Sequence, residues 1–416
     1  MKTTTPPFKT NIYNLKELTK FFGDALQTDA GFETRRMVII WAHGAGLGYV
    51  GNIDMDSPVP NYLQGIAPVR EGRVAHSSKI ERYNDEMRHL IFLKSHLSIK
   101  GDPLKMMDEI FHTDKVRLKP SDTDLLGERL QIITAVQMNT MFRNALPKDK
   151  KIDVLIANTC YTQVLETGYA LKDSMSVLIS PQTTIPFTGF NYNSLFRLME
   201  RQPGLPVKDL AANVRANFTR KYAEPRFRKN FRIVSPAAFD LLGEVSFSAN
   251  DLSHYKDLVD GFFAKMADRF LAAVKDDNEK LLDIIDAARA KCLDISPSAP
   301  FNVSNYGIID LTHFFRTFVR LCRKKGNHDF DDMPEQLTDL TRKIRIAWHK
   351  AAGAGEYSER VASRSPHFLS FFFPSSDVDS NMTNLLIKVY LDKFGRQTLP
   401  RDFSSWPEFI IKRTQE

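Results

Sequence analysis

Two side chains in this sequence have the types that nucleophilic catalysis requires, and each closes an apolar run. His43 lies in MVIIWAHGAG, Met37–Gly46, and Cys160 in IDVLIANTCYT, Ile152–Thr162. A thiol attacks carbonyl carbon as the thiolate, and an imidazole within reach can take its proton. The two could meet if their runs were neighbouring strands. A run of about four to eight apolar residues with β-branched content suits a strand buried on both faces of a parallel sheet. Parallel strands bring their carboxyl ends to one edge, where open α/β sheets bind ligands.

The elements around these runs have the matching rhythm. Leu15–Ala25 (LKELTKFFGDA) reads as an amphipathic helix ahead of the histidine strand. Residues 51–122 mix Pro, Gly and clustered charge and read as an insertion. Asp124–Leu146 reads as a helix, followed by the basic turn KDKK and the cysteine strand. Tyr161–Lys172 has a helical pattern, and Ser176–Ser180 (SVLIS) is a third short strand, so helix and strand alternate as in a doubly wound unit. From Phe247 the texture becomes helical, with Leu252, Tyr255, Leu258, Val259, Phe262, Phe263, Met266 and Phe270 forming one stripe. A Ser/Pro-rich link at Ile295–Pro300 precedes an apolar helix over Ile308–Cys322. His367–Pro374 is strand-like, and Trp406–Ile411 packs the end of the chain. The division expected is a core over 1–245 and a mainly helical region over 246–416 that braces it.

Composition places the chain among globular proteins: 43% hydrophobic, 11% aromatic, and an excess of only seven basic residues in 416. That excess neither requires nor excludes nucleic acid. Cys160, Cys292 and Cys322 are odd in number and widely spaced, which argues against a disulfide framework or a paired-ligand zinc site. No apolar run approaches the roughly 18 residues of a membrane span, and the amino terminus lacks a secretory apolar stretch. The expectation is a chain without a membrane span, cytoplasmic as written.

With those residues in view, the chain resembles the clostripain family of cysteine peptidases, whose fold is the caspase-like α/β/α sandwich. IIWAHGAG is similar to the family's strand ending in His-Gly, and residues 152–172 to its nucleophile strand and following helix, with Glu166 and Tyr169 trailing the cysteine. SPQTTIPFTGFNY, Ser180–Tyr192, LSFFFP and the late tryptophan follow in the family's order. The resemblance implies peptide-bond hydrolysis through a thioester, with Cys160 as nucleophile, His43 as general base, and the backbone amides of Gly44 and Cys160 as oxyanion hole. Imidazole and a helix amino terminus after Cys160 would lower the thiol pKa, and Gly44 has no side chain to shield its amide. No third catalytic side chain is evident, so the pair is a dyad.

Departures from the family pattern carry predictions too. The acidic residue expected two before the nucleophile is Asn158, and Pro181 and Gln182 replace the acidic pair after Ser180. A buried guanidinium without a carboxylate is costly. Asn158, Ser180 and Gln182 as substrate-binding residues therefore predict a primary specificity altered from Arg or Lys. Relatives also carry an additional portion upstream of His-Gly, so the expectation here is either a sheet with fewer strands or a truncated or matured form of the chain. Some are activated by cleavage in the region that here holds Arg70, Arg73, Lys79 and Arg82.

Bland readings stand beside these. A cysteine at a strand end is most often a small buried hydrophobe, and only the ordered motifs around Cys160 single it out; Cys292 and Cys322 read as core. A catalytically silent pseudopeptidase that binds peptides or proteins through the same groove is the rival function. The reaction needs no cofactor. Relatives can depend on calcium, and Asp377 with Asp379, or Asp329 with Asp331 and Asp332, could bind it, although exposed acidic turns are commoner. The other histidines lack zinc spacing, and His367 reads as structural. RANFTRKYAEPRFRKNFR, Arg215–Arg232, interleaves basic and aromatic residues, but such stretches are usually helix surfaces with aromatics turned inward. The partner expected is a protein or peptide substrate, with no nucleic acid; the oligomeric state is not legible.

Overall fold

The computed structural model describes residues 15–26, 35–41, 46–52, 130–183, 185, 189–234, 245–292, 295, 307–350, 367–374 and 405–414. His43, Gly44, the 51–122 insertion beyond residue 52, and Asp377 with Asp379 lie outside them.

The central sheet is built from β1 (Met37–Trp41), β4 (Ile152–Asn158), β5 (Met175–Pro181), β6 (Phe247–Asp251) and β8 (Arg345–His349), in the order β1-β4-β5-β6-β8. β1, β4 and β5 are parallel, and β6 runs antiparallel to both β5 and β8. β4 and β5 are buried at every position but their second, as strands covered on both faces must be. Side chains alternate between two cores: Leu155, Ala157 and Leu178 face one, and Val154, Ile156, Val177 and Ile179 the other. The three-layer α/β/α sandwich expected from the sequence is present.

Against the first face lie α1 (Leu15–Leu26), α2 (Ala135–Ala145) and α3 (Leu165–Leu171), with Phe22 edge-on to Phe142 at 4.9 Å between ring centres. Also in this layer are α7 (Ala264–Lys275), α8 (Glu279–Lys291), α9 (Leu311–Lys324), α10 (Met333–Ile344) and α11 (Ser405–Thr414). On the other face lie α4 (Tyr192–Arg201) and α5 (Val207–Ala223), followed along the chain by α6 (Pro225–Val234). Two small antiparallel pairs complete the description: β2 (Gly48–Asn52) with β3 (Leu130–Thr134), and β7 (Ile308–Asp310) with β9 (Ser370–Phe372).

Several expected helices give up their first residues to strands. Within Asp124–Leu146, Leu130–Thr134 is β3, and the helix begins only at Ala135. Thr134 marks the change: its hydroxyl accepts from the Gln137 amide at 3.2 Å, and Gln137 Oε1 accepts from the Thr134 amide at 3.0 Å. This reciprocal box satisfies two donors that a helix start leaves open. Phe247–Asp251 is a strand, and Ile308–Asp310 another, each ending at an aspartate that caps the next turn or helix. β6 and β8 lie beyond residue 245, so the sheet is shared between the segment read as core and the segment read as brace.

Candidate active site

β4 delivers its last residue, Asn158, to the carboxyl edge of the sheet, and the chain turns sharply through Thr159 and Cys160. Tyr161 adopts a left-handed backbone with φ 58°, a conformation that costs a non-glycine residue roughly 1–3 kcal/mol and persists where surroundings enforce it. Here they do. The Tyr161 amide donates to the Thr183 carbonyl at 3.1 Å and the Gln163 amide to the Pro181 carbonyl at 2.8 Å, lacing the turn to the loop after β5. The Thr162 hydroxyl lies against the Thr159 carbonyl at 2.9 Å. Cys160 therefore stands half-buried on a turn fixed from both sides.

The Ile185 amide, from the same loop after β5, donates to Cys160 Sγ at 3.4 Å. Burial pushes the thiol pKa above its ordinary value, while the Ile185 and Cys160 amides pull it back. The helix expected from Tyr161 starts only at Leu165, so its amino terminus does not adjoin the sulfur. Helix-dipole effects fade within one turn. The thiolate thus draws its stabilisation from amides and from whatever faces the sulfur across the crevice. The strand that would bring His43 there, β1, ends at Trp41, whose register partner is Asn158. Gly46 is packed so closely that an added Cβ would lie 2.3 Å from Ile308 Cδ1, and its carbonyl accepts from the Thr167 hydroxyl at 3.0 Å.

Asn158, Ser180 and Gln182 arrive at the same edge with different commitments. Asn158 is 2% exposed, and neither atom of its amide makes a hydrogen bond. Ser180 donates to Gln163 Oε1, and Gln163 Nε2 donates to the Tyr255 hydroxyl, which also accepts from Asn250. The Gln182 side chain donates to Asp310 Oδ2 at 2.8 Å and accepts from the Phe368 amide at 3.1 Å. Asp310 is a hub: it also accepts from the His313 amide at 2.7 Å and from the His367 amide. Glu166 accepts from the Phe372 amide at 3.1 Å, which ties the helix after the cysteine to β9. Sequence reasoning missed Ile185, Gln163, Tyr255 and Asp310. Ile185 acts through its backbone and leaves no side-chain signal. Asp310, a carboxylate amid IIDLTHFF, was readable as a helix cap.

Residues 134–327 match the family model described as the clostripain family. Over that span the chain is similar to the clostripain family of cysteine peptidases. The matched span begins at Thr134, the cap of α2, and contains Cys160 but not His43. Among curated proteins none matches. Solved structures that it is similar to include an inactive zymogen C11 protease from Parabacteroides distasonis, 13% identical, covering 93% of this chain and 76% of that one at a TM-score of 0.44. Another is a secreted C11 cysteine protease from Bacteroides thetaiotaomicron in complex with an irreversible peptide inhibitor, 12% identical, covering 95% and 78% at 0.46. A third is a B. fragilis cysteine protease, 16% identical, covering 67% and 95% at 0.40.

Elsewhere in the chain, the acidic turn at Asp329, Asp331 and Asp332 is internally bonded. Asp331 pairs with Arg323 at 2.6 Å and with His328 at 3.0 Å. No group of three metal-ligating side chains occurs among the described residues. Nor, among them, is any helix long and apolar enough to cross a membrane. In the basic-aromatic run, Phe218 and Tyr222 are buried while Arg215, Arg220, Arg226 and Arg228 are exposed, the pattern of an ordinary helix surface.

Proposed function

We propose that the chain is an endopeptidase in which Cys160 is the nucleophile, His43 the general base, and the Gly44 and Cys160 amides the oxyanion hole. Cys160 Sγ attacks the scissile carbonyl carbon, His43 takes the thiol proton, and the oxyanion rests on the two amides. The C–N bond then breaks as His43 protonates the leaving amine. Water, deprotonated by the same imidazole, hydrolyses the thioester and returns the thiol.

The supporting observation is how closely the chain on both sides of His43 is tied to the cysteine turn. Trp41 is in register with Asn158, two residues before Cys160. Gly46 is held by Thr167 and lies beside the Tyr161 carbonyl, 3.7 Å from where a Cβ would be. Only four residues, 42–45, join these anchors. Ser180 and Gln182 serve this reading by holding the loops that carry Ile185, while Asn158 is the residue left to face substrate. Asn158 supplies no carboxylate, which favours a primary specificity other than Arg or Lys.

A peptidyl acyloxymethyl ketone tests this directly. Rapid labelling at Cys160, abolished by Cys160→Ala, is the expected result. Peptide binding without labelling would instead make the chain the silent interaction module.

A further inference from the structure

We propose that the subsite beside the thiol receives a carboxamide, the side chain of a Gln or Asn immediately before the scissile bond. This specificity rests on the peptidase reading above. Asn158 lies on the strand face of Val154 and Ile156, two residues ahead of Cys160, and is 2% exposed. Both its Nδ2 and its Oδ1 are buried without a hydrogen bond, the one amide of the described residues so left at both ends. An unmade bond at a buried polar group costs about 1–3 kcal/mol. Neighbouring polar residues at this edge, Gln163, Ser180 and Gln182, all have partners. Folding alone gives no reason for Asn158 to be an amide.

The backbone beside this amide is held in place. Gly189 has φ +51°, and a Cβ there would come within 2.5 Å of Asn158 Nδ2 and 2.6 Å of Oδ1, so bare backbone is pressed against the side chain. The Gly189 carbonyl accepts from the Tyr222 hydroxyl at 2.9 Å and from Lys221 Nζ at 3.1 Å. Lys221 also reaches the Phe190 carbonyl at 3.4 Å. Burial lowers its pKa to about 7, so near neutral pH a cation stands behind this backbone for part of the time.

These features select by chemistry. A Lys or Arg side chain would find no carboxylate at Asn158 and a like charge at Lys221. A carboxylate could accept from Nδ2 but would set its lone pairs against Oδ1. A carboxamide presents one donor and one acceptor and can satisfy both atoms.

The test is kcat/KM of the full chain on peptides that differ only in the residue before the scissile bond: Gln, Asn, Glu, Lys, Arg or Leu. Gln or Asn is expected to exceed Lys, Arg and Glu by about tenfold or more. Asn158→Asp is expected to shift the preference to Lys and Arg, and Asn158→Leu to bring Gln and Asn down to the level of Leu. Labelling of Cys160 by a Leu acyloxymethyl ketone shows that each variant is folded. Turnover that is fastest on Lys, Arg or Leu, or a profile unmoved in both folded variants, overturns the carboxamide assignment and leaves the peptidase standing. No turnover on any peptide and no Cys160 labelling overturns both.

Discussion

Substituting His43 by Ala isolates what the imidazole does for the sulfur. Burial pushes the Cys160 thiol above its ordinary value despite the Ile185 amide. An opposite charge within about 4–6 Å lowers the pKa of an acid by roughly 1–3 pH units. Two such units correspond to about 2.7 kcal/mol of stabilisation of the ion, at about 1.36 kcal/mol each. The thiolate fraction then rises about a hundredfold. Intrinsic nucleophilicity falls with pKa with a coefficient of roughly 0.4–0.5, so the net gain in rate is about tenfold. Iodoacetamide alkylation against pH, mapped to individual cysteines by mass, measures this. The wild type is expected to alkylate at Cys160 from a lower pH than His43→Ala, which should lose about tenfold at pH 7 and recover only as the solution becomes alkaline. Cys322, pushed up to about 11 chiefly by burial, and buried Cys292 remain silent in the same digest. Coincident profiles for the two proteins would refute the dyad.

Three further outcomes follow from the packing. Gln182→Ala removes a hydrogen bond to a buried carboxylate and orphans the Phe368 amide, for a loss of about 3 kcal/mol. It is read as a lowered urea midpoint at unchanged slope, and a loss below about 1 kcal/mol would deny Gln182 the clamping role. Gly168→Ala should improve helix propensity by about 1 kcal/mol, yet its Cβ would stand 2.1 Å from Tyr255 Cε1. Overpacking of about 1–3 kcal/mol should win, so a raised melting temperature would contradict the packing of α3 on Tyr255. His349 is lowered to about 4 by burial and by Arg215. A base depressed in the folded state gives stability that is complete above its unfolded pKa near 6.5 and is lost as pH falls towards 4. Wild type should therefore lose up to about 3 kcal/mol over that window that His349→Gln retains, measured by denaturation at pH 7 and 4.

How far the sequence could be read depended on how local the signal was. β4 and β5 announce themselves as unbroken apolar runs because both of their faces are covered, and the cysteine turn follows from where β4 stops. The strands missed are short or half-exposed. β8, RIAWH, has its first residue exposed and the rest half-buried, so neither an apolar run nor a clean alternation marks it. β6 and β7 were absorbed into the helices that follow, because Phe247 and Ile308 extend the apolar pattern without a break. Asp251 and Asp310, which cap what comes next, were the signals of the boundary. Of the residues proposed for the site, Asn158 and Cys160 stand at or just past the end of β4, where the apolar run in the sequence stops. That Ser180 and Gln182 face inward was not legible there, since their partners lie 17 and 128 residues away.

Those distant partners explain why the site depends on the whole chain. Gln182 meets Phe368 across 186 positions and Glu166 meets Phe372 across 206. The segments after residue 300 thus fix both the loop that carries Ile185 and the helix that follows Cys160. Buried polar networks of this kind specify a single arrangement because any other leaves donors or acceptors unpaired in a low dielectric. Each of these pairings removes a polar group from contact with substrate and gives it to the fold. Asn158 runs the other way: two positions from Cys160, it is the one amide of the described residues with both ends open, which is what the proposed carboxamide subsite requires.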